Sequence, residues 1–279
     1  LYVFLAILIG FLASVLAGMF GVGGAGLTTP ALRVILDATP GIALGTTLPV
    51  VIPTSLAAGY TYYRSGFVDV RIAVACGAGG IFGSVGGALL TKYLNLHYLM
   101  LLTGVVVLYL GTTTFIRGVR GKVPEVVEAE GADGVSGPTP LPVPEPEDSG
   151  ASGGGFRNAT ITYVAIGLVG GFFSGLLGLG GGIVLIPAFL YILRLPIKKA
   201  FGTSLAVIAI IAIPGTVVHA LLGHISGWLF LYLVVGVIPG AYLGARLAIK
   251  AREPVLYTGF GVLVVIFGII FIVNEIIRI

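Results

Sequence analysis

The chain has 279 residues, of which 57% are hydrophobic and only 9% charged, and its mean hydropathy is +1.11. A soluble surface normally needs about 25% charged residues. A water-exposed globule, a disordered chain and most nucleic-acid-binding modules are therefore excluded, which leaves an integral membrane protein.

No Asp, Glu, Lys or Arg occurs in residues 1–32, 38–63, 72–91, 98–116, 158–193, 200–245 or 255–274. A spanning helix needs about 20 apolar residues, and lipid admits only helices or closed barrels. Barrel strands would alternate over about 10 residues, whereas these runs are apolar on every face, so a helical bundle is predicted. The chain begins at Leu1 rather than Met, and its first run lacks a basic flank. That run recurs later in the chain, so it reads as structure rather than as a signal peptide.

The first window carries a glycine cluster at Gly21, Gly23 and Gly24, followed by Thr28, Thr29 and Pro30. The second holds Gly45, Thr46, Thr47 and Pro53, the proline being a predicted kink. The third places Gly79, Gly83 and Gly87 on one helix face, which predicts a packing seam. Cys76, the single cysteine, lies there and reads as a small packing residue. Residues 118–156 hold seven acids against Arg120 and Lys122, together with the alternating prolines Pro138, Pro140, Pro142, Pro144 and Pro146. That composition cannot bury apolar area, so it predicts a semi-rigid hydrophilic linker. Membrane segments then occupy 1–117 and 157–279. The fifth window repeats the glycine cluster at Gly178, Gly180, Gly181 and Gly182. The sixth is long enough for two helices and turns at Gly223–Gly227.

The two halves match at one offset. AGMFGVGGAGLTTPAL at 17–32 aligns with SGLLGLGGGIVLIPAF at 174–189, an offset of 157 (175 minus 18). The same offset pairs Gly45-Thr46 with Gly202-Thr203, Thr47 with Ser204, and Gly79, Gly83 and Gly87 with Gly236, Gly240 and Gly244. An all-α polytopic membrane protein made of two homologous repeats is therefore expected, a common plan of secondary transporters.

The charges bear on repeat orientation. Windows 1–36 and 159–193 are too long for one crossing, because a 36-residue helix reaches roughly 54 Å against a core of about 30 Å. If each window crosses once, the basic residues divide about evenly between the two sides. If each turns back at its glycines, Arg64, Arg71, Arg117, Arg120, Lys122, Arg157, Arg194, Lys198, Lys199, Arg246, Lys250 and Arg252 share one side, and Arg33, Lys92 and Arg278 the other. The positive-inside rule favours the second count. It predicts inverted repeats, a cytoplasmic linker and both termini outside. Whether the returning segments cross fully or re-enter stays open.

A helix broken inside the membrane exposes backbone donors, and the N-terminus of its returning half attracts anions. Gly21, Gly23, Gly24, Gly178, Gly180, Gly181 and Gly182 thus form a candidate anion site, with hydroxyls from Thr28, Thr29, Thr46, Thr47, Thr203 and Ser204. Close packing competes for the glycines, and helix capping competes for Thr46 and Thr203. His219, in an apolar window, is a candidate coupling group, while His97 and His224 read as loop residues. Arg246 is expected to snorkel to the interface. GVGGAG lacks the Lys-Ser/Thr of a nucleotide loop. With no cluster of His, Cys or acids, the sequence implies no metal, cofactor or enzyme chemistry. The expected partners are the bilayer and a small anionic solute, without nucleic acid.

GMFGVGGAGLTTPAL, its repeat GLLGLGGGIVLIPAF and the following GTTL and GTSL resemble the TauE/SafE sulfite exporter family over nearly all of the chain except the linker, which is longer than usual. The resemblance implies a polytopic inner-membrane permease of about seven to nine helices. It also implies export or uptake of sulfite, sulfoacetate or other sulfur-containing and organic anions. A passive anion channel and a membrane scaffold are the alternatives.

Overall fold

The computed structural model describes residues 2–90, 108–109, 111–116, 154–177 and 180–276. Most of the predicted linker, together with Lys92, His97, Arg117, Gly178 and Arg278, lies outside these residues. Nine long or medium helices follow in order among the described residues: α1 (Tyr2–Phe20), α2 (Ala25–Ile35), α3 (Pro40–Arg64), α4 (Val70–Leu90), α5 (Gly154–Leu177), α6 (Gly182–Tyr191), α7 (Ile197–Leu221), α8 (Gly227–Lys250) and α9 (Glu253–Ile276). A short helical stretch at 111–116 packs on α9, where Gly111 meets Val264 and Val265. No strand occurs among the described residues.

Seven of the described helices are long and apolar enough to cross a membrane, whereas Gly182–Tyr191 is a shorter apolar helix. Their outer faces carry Phe4, Phe82, Val74 and Leu221, all exposed. In water such a surface would aggregate, and in lipid it is the expected one. Tyr60 and Tyr63 are exposed at the C-terminal end of α3, and Trp228 at the start of α8. These are positions that suit amphipathic rings at a membrane interface.

The contacts fix relative directions. Along α3 and α7, Gly45 meets His224, Leu48 meets Gly215, Gly59 meets Leu205, and Tyr62 meets Gly202. Rising numbers in α3 face falling numbers in α7, so these two helices are antiparallel. At one end Lys199 Nζ lies 3.5 Å from Asp69 Oδ2, and Lys198 Nζ donates to the Ile249 carbonyl at 2.9 Å. This end gathers the bases flanking α3, α4, α7 and α8. At the other end Ala6, Ile9, Leu32, Ala43 and Leu229 form one apolar cluster. Leu32 near the end of α2 therefore lies beside the beginning of α1. The chain turns back at its first glycine cluster instead of continuing across.

Two glycine seams hold the bundle. In membranes, small residues let backbones approach closely where no water-driven force brings helices together. The predicted face of Gly79, Gly83 and Gly87 packs on α5, and Gly236, Gly240 and Gly244 pack on α1. The partner helices contribute small residues as well. A Cβ on Gly171 would fall 2.6 Å from the Gly80 Cα, and one on Gly18 would fall 3.0 Å from the Ala241 Cα. α3 and α7 remain helical through Pro49, Pro53 and Pro214.

Helix starts also keep the offset. α2, α3 and α4 open at 25, 40 and 70, and α6, α7 and α8 open at 182, 197 and 227, each 157 residues later. Gly45 and Gly202 consequently sit inside α3 and α7 rather than at their starts. Their missing side chains make room for the His224 and Phe67 loop backbones.

A candidate anion site at two glycine turns

Gly21 ends α1 in the left-handed conformation at φ 71°, and the Val22 N–H donates to the Ala17 carbonyl at 3.2 Å. This closes the helix as a glycine C-cap does. Gly23 and Gly24 follow at φ 82° and 87°, and Gly180 and Gly181 at φ 77° and 73°. A side chain strains such backbone, so glycine is what lets the chain reverse within a few residues.

The two turns meet. A Cβ on Gly182 would lie 2.6 Å from the Val22 Cα, and one on Gly180 would lie 3.5 Å from the Val22 carbonyl oxygen. Val51 and Ile208, both fully buried, close on Gly23 and Gly180 alike. Val51 and Ile208 are themselves 157 residues apart. The N-termini of α2 and α6 therefore approach one another beside the middles of α3 and α7. Neither Gly24 nor Gly181 brings a side-chain cap to its helix.

Most nearby hydroxyls are already engaged. Thr28 Oγ1 donates to the Gly24 carbonyl at 3.0 Å, and Thr29 Oγ1 lies 3.0 Å from Thr47 Oγ1. Ser204 Oγ lies 2.8 Å from both the Gly21 and Phe201 carbonyls, tying α7 to the first turn. These contacts organise the turns, so the donors best placed for an anion are backbone amides.

Thr46 and Thr203 serve elsewhere. The Ser226 N–H donates to Thr46 Oγ1, and the Asp69 N–H donates to Thr203 Oγ1, each at 3.0 Å. Each threonine thus holds the residue just before the first turn of a helix in the opposite half, α8 or α4. His219 is buried beside the loop at the far end of α7, with its ring centroid 5.7 Å from that of His224. Arg246 is exposed, its guanidinium 4.4 Å from the Tyr242 ring centroid. This fits the expected interfacial placement.

Two hydroxyls escaped sequence reasoning. Thr54 Oγ1 lies 3.7 Å from a Cβ built on Gly24, and Ser174 Cβ lies 3.2 Å from one built on Gly181. Each half-helix N-terminus therefore has one hydroxyl residue beside it. Their positions at offset 157 hold Ile211 and Ala17, so the repeat does not mark them. Thr54 donates to the Val50 carbonyl at 2.7 Å, the ordinary use of a mid-helix hydroxyl. Ser174 Oγ is buried without a hydrogen-bond partner. A groove of about 600 Å³ between α5 and α6 is lined by residues such as Ile161, Ala165, Val169 and Pro187. Its lining is mostly apolar and carries no charged residue, Thr162 and Tyr191 being its hydroxyl-bearing members.

The residue types also limit other chemistry. Among the described residues, no three His, Cys, Asp or Glu side chains gather as a metal cluster would require. The sulfite exporter TauE/SafE family model matches residues 6–271. The chain is 25% identical over 248 residues to the probable membrane transporter protein YunE of Bacillus subtilis, covering 86% of this chain and 85% of that one. It is 27% identical over 252 residues to YdhB of the same organism, also named a probable membrane transporter protein, covering 87% and 89%. It is 23% identical over 260 residues to the probable membrane transporter protein MJ0441 of Methanocaldococcus jannaschii, covering 91% and 82%. No solved structure matches the chain. A multi-pass helical bundle with a doubled glycine turn, matched by the family model across nearly its whole length, belongs to the TauE/SafE family of membrane transporters.

Proposed function

We propose that this transporter carries small anions, with sulfite and related sulfur oxyanions or organosulfonates favoured, between two inverted repeats. The observation that carries the reading is the meeting of two uncapped half-helix N-termini at the glycine turns of α2 and α6. Each such end stabilises an anion by up to about 2 kcal/mol when partly buried. Two ends together correspond to a dissociation constant on the order of 1 mM, weak enough for release on either side. Val51 and Ile208, fully buried against both turns, favour an occluded carrier over a standing pore.

Purified protein in proteoliposomes is expected to exchange at least one of sulfite, sulfate, thiosulfate and sulfoacetate, with half-saturation near 1 mM by the same estimate. Movement of none of the four, with none raising the thermal stability of the purified protein, counts against an anion substrate. Salt-like conductance without saturation favours the channel.

The inverted arrangement rests on the antiparallel packing of α3 and α7 and on the helix starts 157 residues apart. The basic end then faces the cytoplasm, with the linker there and both termini outside. Reporter fusions within residues 125–150 and after Ile279 are expected to land on opposite membrane sides. Finding both on one side contradicts the inversion.

A further inference from the structure

A second polar feature lies where α4, α5 and α7 meet. Ser84, Ser174 and His219 are 0%, 0% and 3% exposed; the two serine hydroxyls have no hydrogen-bond partner in the protein, and the His219 imidazole approaches the Gly175 backbone without a well-formed hydrogen bond. The buried hydroxyl of Thr216 is likewise unpartnered. Buried polar groups are nearly always hydrogen-bonded, so three such groups at one helix junction, with a fourth on α7, call for a ligand that comes and goes.

Their order along α7 is informative. Ile211 packs on Gly80 and on Gly181, the N-cap of α6, with Ser174 beside it. One turn on, a Cβ on Gly215 would fall 2.8 Å from Ser84 Oγ. One further turn on, His219 lies against the Gly175 backbone and close to His224 in the loop before α8. The track therefore runs about 12 Å along α7 from the half-helix N-terminus to the end of the bundle. At offset 157, the matching positions in the other half are Ala241 for Ser84, Ala17 for Ser174, Gly59 for Thr216 and Tyr62 for His219. Tyr62 is partnered, its hydroxyl donating to the Met19 carbonyl at 3.1 Å. Packing alone is thus met by small residues and a tyrosine, and each of these positions departs from that solution toward polarity, Ser84 in the first half and Ser174, Thr216 and His219 in the second.

We propose that Ser84, Ser174 and His219 form a proton track, with His219 as the group that carries the proton coupled to anion movement. The inference rests on the transporter reading above. A proton from water on the His224 side bonds to a ring nitrogen of His219, breaking its bond to the hydronium oxygen. The imidazolium offsets the charge of an anion at the α6 N-terminus. On release the N–H bond breaks and the proton returns to water, with no other bond changed. His224 is the titratable group facing His219. α4 beyond Arg71 and α5 beyond Arg157 carry no Asp, Glu, Lys or Arg, and their other titratable side chains are Cys76, packed at Gly167, and Tyr163. On α3 the charged Arg64 lies at the opposite end of the bundle.

The test compares two modes of movement in proteoliposomes, using labelled sulfite, sulfate, thiosulfate and sulfoacetate in turn with pyranine inside. Counterflow exchange needs an intact anion site but no net proton movement, whereas accumulation driven by a pH gradient needs both. Wild type is expected to accumulate anion at least about tenfold above the gradient-free level and to shift lumenal pH as it does so. His219→Tyr copies the residue that packs in the matching slot, and His219→Gln covers the case in which the tyrosine variant does not fold. Both are expected to keep counterflow and to lose the gradient-driven component. Wild-type transport indifferent to the gradient, or His219 variants that still respond to it, overturn the proton track and leave the transporter reading standing. Absence of counterflow in wild type overturns both.

Discussion

Gly171→Leu is expected to lower the yield of folded protein in the membrane at least about tenfold, whereas Gly86→Leu leaves it unchanged. A side chain at Gly171 meets the Gly80 carbonyl oxygen and, at 2.6 Å, the Gly80 Cα. The obstacle is backbone, which cannot rotate away, and the α4–α5 seam repeats such contacts at Gly79, Gly83, Gly87, Gly167 and Gly175. Overpacking typically costs about 1–3 kcal/mol, and about 1.4 kcal/mol is tenfold in an equilibrium. Gly86 lies on the partner helix α4, is exposed and meets nothing within 4 Å of a built Cβ, so a leucine there reaches lipid. Helix propensity would treat both positions alike. Fluorescence size-exclusion yields from the two variants decide the matter, and equal losses would mean that the seam does not hold the bundle.

Gly180→Ala and Gly182→Ala are expected to fail differently. At Gly180 the backbone has φ 77°, but a built Cβ makes only ordinary contacts at 3.4–3.6 Å. The variant bears a backbone strain of about 1–2 kcal/mol, read as a lower melting temperature, and keeps most of its transport. At Gly182 no left-handed φ is present, yet a Cβ lies 2.6 Å from the Val22 Cα and 2.8 Å from the Gly21 carbonyl oxygen. It pushes the two glycine turns apart where the half-helix N-termini meet. Anion exchange is expected to fall roughly 10- to 100-fold, the equivalent of about 1–3 kcal/mol, while melting changes less. If exchange in both variants simply follows melting temperature, the turns serve packing alone.

Much of the bundle is legible in composition. Charge-free windows located the long described helices, and the turn at Gly223–Gly227 separates α7 from α8 as read. The four-residue glycine spacing found its seams because a helix presents every fourth residue on one face. Helix capping, the competing reading for Thr46 and Thr203, does not apply at their own helices, since Pro40 and Ile197 already open α3 and α7. The two threonines receive N–H groups from residues 180 and 134 positions away. No local pattern encodes such a pair. Nothing local marks Thr54 and Ser174, because a lone mid-helix hydroxyl usually bonds its own backbone, and only the packing of the turns shows which ones lie by an N-terminus.

The sequence by itself determined that this protein lives in lipid, that its membrane parts are helical and that its glycine clusters break them. Those properties depend on composition and on spacing along one chain, because the bilayer imposes length and internal hydrogen bonding on each segment separately. The tertiary structure alone decided which polar atoms find partners. Thr29 meets Thr47, Ser204 reaches Gly21 across the halves, and Ser84 and Ser174 are left buried without a partner. Hydroxyl-bearing residues look the same in a sequence whether they cap, pack or wait for a ligand. The difference arises only when antiparallel helices bring distant backbones within about 3 Å of them.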